Sequence, residues 1–243
     1  MDAAGFLLII LLIAGLIVAI VLLNQKRTNA LKAIAQQLKL QFSVGGDAAI
    51  RPLIANLEFF DRGQFSQARN ILHGTVHRQG RECTVAIFDY FYTVGHGKNR
   101  DTLCQTVMVF YDDSLHLPAF NVRSEHFIDK INNLIGFEDV NFPQFPQFSK
   151  RYRLNTSNPD AVRSLFQPGL IKFYESQKIG TEANGSSILI FPAGNYNPRA
   201  HEISISSGRT NPDSRMLAPE EIPSFLEVSV RLLNLLAKSS QSK

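Results

Sequence analysis

Two kinds of residue are conspicuously scarce, and each shortage excludes something. Cys83 and Cys104 are the only cysteines among 243 residues. Two thiols without a Cys-x-x-Cys spacing exclude a disulfide framework and fit a reducing compartment, where both stay reduced and buried. Acidic residues are missing altogether between Asp2 and Asp47. No Gly-x-Ser-x-Gly run is present, which removes the commonest serine-nucleophile turn. The net charge is only +4, and part of it sits beside an apolar run, so a nucleic-acid footprint is excluded as well.

What is abundant comes first in the chain. Residues 5–23 read GFLLIILLIAGLIVAIVLL, without a charged side chain. As a helix this run is about 28 Å long, close to the ~30 Å hydrocarbon core of a bilayer. A cleavable leader would carry a basic segment in front, and only residues 1–4 precede it. The run therefore reads as a transmembrane helix. Lys26, Arg27, Lys32 and Lys39 follow it, so the positive-inside rule puts residues 1–4 outside and the globular part in the cytoplasm, at the plasma (inner) membrane.

Residues 24–46 form a basic amphipathic stem. Leu31, Ile34, Ala35, Leu38 and Phe42 recur at helical spacing, and Gly45-Gly46 is the expected stop. The stripe is narrow, which favours packing on the domain over lying on the leaflet. In the second arrangement the basic residues would contact anionic lipid.

Residues 47–237 are expected to form the cytoplasmic domain and 238–243 a loose tail. From Asn70 the pattern becomes that of strands. Gln79-Gly80 and Asn184-Gly185 are two-residue turn signals, and RECTVAIFDYFY is apolar on both faces, as a central strand would be. Ser124 is placed to cap a helix ending at Gly136, Asn158-Pro159 opens another, and Pro168 separates that one from the next. A final helix is expected from Pro219, with Ile222, Phe225, Leu226, Leu232, Leu233 and Leu236 on its apolar face.

The segment TVGHGKNRDT, residues 93–102, raises the question of a phosphate loop. A Walker loop needs Gly-x-x-x-x-Gly-Lys and then Ser or Thr, between a strand and a helix. Here Asn99 follows Gly97-Lys98 and the next element is a strand, so a hairpin connection accounts for it. His73 and His77 would share a helical face, but on a strand they stand about 13 Å apart, too far for one ion.

Acid–base candidates are few. Glu125, His126 and Asp129 share a helical pattern, His96 sits in the tip loop, and Asp89 lies amid aromatics in FDYFY, where burial could raise its pKa. Phe142, Phe145 and Phe148 recur every three residues in FPQFPQF. That is the period of a polyproline II helix, with one ringed side for the core or a partner. Arg151 and Arg153 would share a strand face, facing a phosphate or headgroup.

The combination of FDYFYTVGHGK with QTVMVF, LPAFNVRSEHFIDKI, and FSKRYRL with PDAVRSLFQPGL resembles a bacterial family of single-span proteins with a cytoplasmic domain of unknown function. The resemblance covers roughly residues 70–175 and implies an α+β domain without assigning an activity. Sequence alone thus predicts a mainly antiparallel sheet with packed helices, tethered by one span. The expected role is a binding module for a protein or apolar ligand, with no cofactor, no metal and no catalytic residue assigned. The competing expectation is an enzyme acting on a membrane or envelope substrate through Asp89, His96 or Glu125 with His126.

Overall fold

The apolar run and the stem are one helix, α1 (Ala3–Gln37), 35 residues long. In this computed structural model residues 3–46, 48–61, 64–95, 97, 100–124, 137–193 and 215–241 are described. The apolar part of α1 has a mean hydropathy of 3.2 over its best window, none of it buried; further on, Leu31 and Ala35 are buried in the domain core. The stem does not run to Gly45-Gly46 as expected. Lys39 takes a left-handed conformation at φ 58° and its N–H donates to the Gln36 carbonyl at 3.1 Å, while the Leu40 N–H reaches Ala35 at 2.8 Å. This closing motif satisfies the last helical carbonyls and usually employs glycine. Phe42 consequently lies in a strand, outside the helical stripe.

Nine strands form a single sheet in which every neighbouring pair is antiparallel: β1 (Gln41–Gly45), β2 (Gln64–Arg78), β3 (Arg81–Val94), β4 (Asp101–Tyr111), β5 (Leu117–Ser124), β6 (Glu138–Asp139), β7 (Tyr152–Thr156), β8 (Ile179–Gly185) and β9 (Ser187–Pro192). Their order is β1-β2-β3-β4-β9-β8-β5-β7-β6. Helices α3 (Pro146–Arg151), α4 (Pro159–Leu165), α5 (Pro168–Gln177) and α6 (Ile222–Gln241) join the end of α1 on one face. The other face is covered by α2 (Arg51–Ile54) and the 3-10 turn Glu58–Asp61. The expected α+β class is the observed one, and α6 continues past residue 237 to Gln241.

Alternation along β3 explains the two cores. Cys83, Val85 and Ile87 enter the helix-covered core, and Ala86, Phe88, Tyr90 and Tyr92 enter the other. Gln79 and Gly80 both have positive φ between the paired Arg78 and Arg81, the hairpin turn whose twist matches its strands. The β8–β9 turn is centred one residue later than expected, because Asn184 pairs with Ser187 and leaves Gly185-Ser186 as the tip. The glycine-rich segment after Val94 joins β3 to β4, with Val94 opposite Asp101. The two strands it joins are antiparallel neighbours.

The three-ring stripe is corrected. Pro146 opens the short helix α3, so FPQFPQF is no continuous polyproline helix. Phe142 and Phe148 are buried and meet edge to face at 6.0 Å, whereas Phe145 precedes the helix and is half-buried at the rim of the core. Arg151 ends that helix and donates to the Glu175 carbonyl, while Arg153 is exposed on β7. They do not share a strand face. At α4, the Asn158 side chain accepts the Ala161 N–H at 3.1 Å, the cap expected there.

Candidate functional site

The most elaborate polar constellation among the described residues lies where α1 enters the sheet. Asp89 points from β3 toward α1, on the face opposite Phe88 and Tyr90. Its carboxylate is 1% exposed and receives Arg27 through two parallel bonds, Nε to Oδ2 at 2.9 Å and Nη2 to Oδ1 at 2.7 Å. Such fork-to-fork pairing fixes orientation as well as charge. The Arg27 Nη1 also donates to the Leu217 carbonyl at 2.8 Å. Thr106, on β4, donates its hydroxyl to Asp89 Oδ1 at 3.0 Å and accepts the Leu217 N–H at 3.0 Å.

Asn70 completes the joint through a local irregularity in β2. The register shifts by one residue between Arg69 and Leu72, and Asn70 takes φ 52° within that bulge. Asparagine tolerates the left-handed region better than most residues, and a bulge re-aims a side chain. The Asn70 Nδ2 donates to Asp89 Oδ2 at 2.9 Å, and its Oδ1 accepts the Thr28 hydroxyl at 2.8 Å. Asp89 therefore has four donors, and Arg27 has three acceptor groups, the third being the Thr106 hydroxyl at 3.3 Å, so the pair is matched on both sides where a half-satisfied one would be costly.

This geometry corrects two expectations. The aromatic neighbours of Asp89 in sequence lie on the opposite face of the sheet, and an arginine faces the carboxylate instead. Of the four basic residues after the apolar run, Arg27 is committed to the domain, while Lys26, Lys32 and Lys39 are exposed. The stem packs on the domain through Leu31 and Ala35, the arrangement favoured from its pattern. His96, Lys98, Glu125, His126, Asp129 and the helix expected after Ser124 lie outside the described residues.

Two further ion pairs are buried among the described residues. Arg78, on β2, holds Asp112 through Nε at 3.1 Å and Nη2 at 2.5 Å, and Asp112 Oδ1 accepts both the N–H and the hydroxyl of Ser114. Burial alone would raise the Asp112 carboxyl, but the Ser114 hydroxyl, the Arg78 guanidinium and the Ser114 N–H outweigh it and hold it below the usual carboxylate range. The neighbouring Cys83 thiol is pushed up to about 12, chiefly by burial and then by the Asp112 charge. A thiol so suppressed is an inert packing group. Arg123 pairs with Glu182 at 2.9 Å, and Glu182 also accepts the Phe59 N–H at 3.1 Å, tying the turn Glu58–Asp61 to the sheet.

His73 and His77 sit on β2, half-buried and exposed respectively. Among the described residues no three His, Cys, Asp or Glu side chains lie where one ion could be shared. The pattern missed by sequence reasoning is Arg27 with Asn70 and Thr106. The only local signal was an Arg at the foot of an apolar helix and a buried-strand Asp, 62 residues apart.

No family model and no curated protein matches the chain. Among solved structures it is similar to the crystal structure of the mycobacterial trehalose monomycolate transport factor A, TtfA, with a TM-score of 0.54 at 12% identity, over 87% of this chain and 94% of that one. At that identity the likeness is one of fold.

Proposed function

We propose that the chain is a non-catalytic, membrane-tethered module on the cytoplasmic face, holding a protein partner at a set height and orientation beneath the bilayer in support of membrane transport. The Arg27–Asp89 joint carries this reading. A tether that served only to retain a domain would gain nothing from a buried, forked ion pair four residues beyond the apolar run. Such pairs add little net stability, and in this reading the pair is kept for the geometry it imposes. Both sheet faces are filled by the chain's own side chains, which favours a partner docked on the outside over an apolar ligand held within. The likeness to a transport factor supports a transport-related role, and the cytoplasmic placement rests on the basic flank. Asp89, the best acid in the sequence, is engaged by four donors, which speaks against the enzyme reading.

The test is to crosslink the full-length protein in its own membranes, solubilise it in mild detergent and purify it. The reading expects one membrane protein in fixed stoichiometry, lost when Arg27→Met with Asp89→Leu removes the joint's geometry. Turnover of an envelope lipid by the purified protein alone would contradict it, as would recovery of the protein without any such partner.

A further inference from the structure

Outside the apolar helix, the exposed large hydrophobic residues among those described are Val44 at 66% and Phe65 at 77%. Both lie at the end of the sheet from which α1 leaves for the bilayer. Thr28 meets Asn70, and twelve residues later Leu40 packs against Gly74, so α1 and β2 descend side by side away from the apolar run. Residues before Asn70 on β2, and after Asp89 on antiparallel β3, are therefore on the bilayer side. Val44 lies between Ser43 and Gly45, which pair with Ile71 and Arg69, and so stands beside Asn70.

The heights agree with contact. Leu23 ends the apolar run about 6 Å above Arg27, and each polar layer of a bilayer is about 5–8 Å thick. From Asn70 back to Phe65 the strand rises by up to about 16 Å, which reaches the headgroups even when inclined to the helix. At that level α1 stands clear of the sheet, with Leu22 and Leu23 at 60% and 54% exposure. A second bulge in β2, between Gln64 and Gln67, puts Phe65 at φ 54° and turns it out of the ladder. The Arg100 guanidinium lies 5.9 Å from the centre of its ring, and Arg69 lies 5.1 Å from that of Phe91. Aromatic rings with adjacent cations suit the layer between acyl chains and lipid phosphates.

We infer that the start of β2 and the β3–β4 end of the sheet make a second, interfacial contact with the bilayer that α1 itself crosses. Phe65 enters the headgroup layer, Val44 lies at its edge, and Arg100 meets lipid phosphate. The inference rests on α1 being a membrane span, as proposed above. Because the chain has 0 Trp, single tryptophans report on it without background. Full-length Phe65→Trp, Leu12→Trp and His77→Trp proteins are reconstituted into phosphatidylethanolamine–phosphatidylglycerol vesicles, with or without brominated acyl chains. The expected result is strong bromine quenching for Leu12→Trp, intermediate quenching with a blue-shifted emission for Phe65→Trp, and none for His77→Trp at the far end of β2. Adding Arg100→Glu to Phe65→Trp should reduce its quenching. Phe65→Trp that is unquenched by bromine but open to iodide, while Leu12→Trp is quenched, overturns the interfacial contact alone and leaves the surface to a protein. An unquenched Leu12→Trp overturns the span and this contact with it.

Discussion

At the residue scale the behaviour of Asp89 separates a joint from a decoration. Asp89→Ala leaves the Arg27 guanidinium, 12% exposed, opposite no charge, and breaking such a pair from one side costs up to about 3–5 kcal/mol. Arg27→Met combined with Asp89→Leu removes both charges and should recover most of that loss in denaturant unfolding of the detergent-solubilised protein. Equal losses for the single and double variants would mean that the packing, and not the charge pairing, was disturbed. Asp112 gives a pH signature. Its carboxyl is held below its ordinary value of 3.8 in the folded chain, so the stability it contributes is complete above that value and is lost as pH falls through the lower folded one. The stability gap between the native chain and Asp112→Asn should therefore hold at neutral pH and close below 3.8. A gap that stays constant into stronger acid would contradict the assignment. The sequence marked Asp89 as unusual for the wrong reason. Adjacent residues on a strand face opposite ways, so the aromatics beside it in FDYFY line the other core, and nothing local announces an arginine 62 positions earlier.

At the element scale, packing decides what periodicity could only suggest. Phe148→Ala empties a fully enclosed site touching Phe142, Tyr152, Phe166 and Tyr174 and should cost roughly 3–5 kcal/mol. Phe145→Ala, at the half-buried rim, should cost about 1 kcal/mol. Equal melting-temperature shifts for the two would restore the common stripe. Gly180 is required for another reason: a Cβ there would lie 2.2 Å from the Phe191 ring on the paired strand. Gly180→Ala should therefore cost roughly 1–3 kcal/mol by overpacking, measured as a lower unfolding midpoint. The strands, the Gln79-Gly80 turn and the Asn158 cap were legible because local chemistry dictates them. The two bulges of β2 were not, since an inserted residue leaves no mark on composition. The end of α1 was hidden too, because lysine occupies the left-handed position that glycine usually signals.

At the scale of the whole molecule, the proposed function requires the apolar helix, the joint and the sheet to act as one lever arm. The basic flank predicts that a reporter active only outside the cytoplasm stays silent when fused after Lys243; strong activity would reverse the topology while leaving the joint intact. The antiparallel α+β architecture could be anticipated from turn signals and two-sided apolar strands, whereas the coupling of anchor to domain could not, because it joins α1, β2, β3, β4 and Leu217 from distant parts of the chain. That coupling is the central claim, and a distance distribution tests it most directly. Spin labels at Gln25→Cys, just beyond the apolar run, and His77→Cys, at the far end of β2, are both on exposed positions, and pulsed dipolar spectroscopy in proteoliposomes reads their separation. A rigid joint predicts one narrow distribution that broadens when Asp89→Ala is added. A broad distribution in the unmodified joint, unchanged by Asp89→Ala, would show that the domain swings freely from its tether.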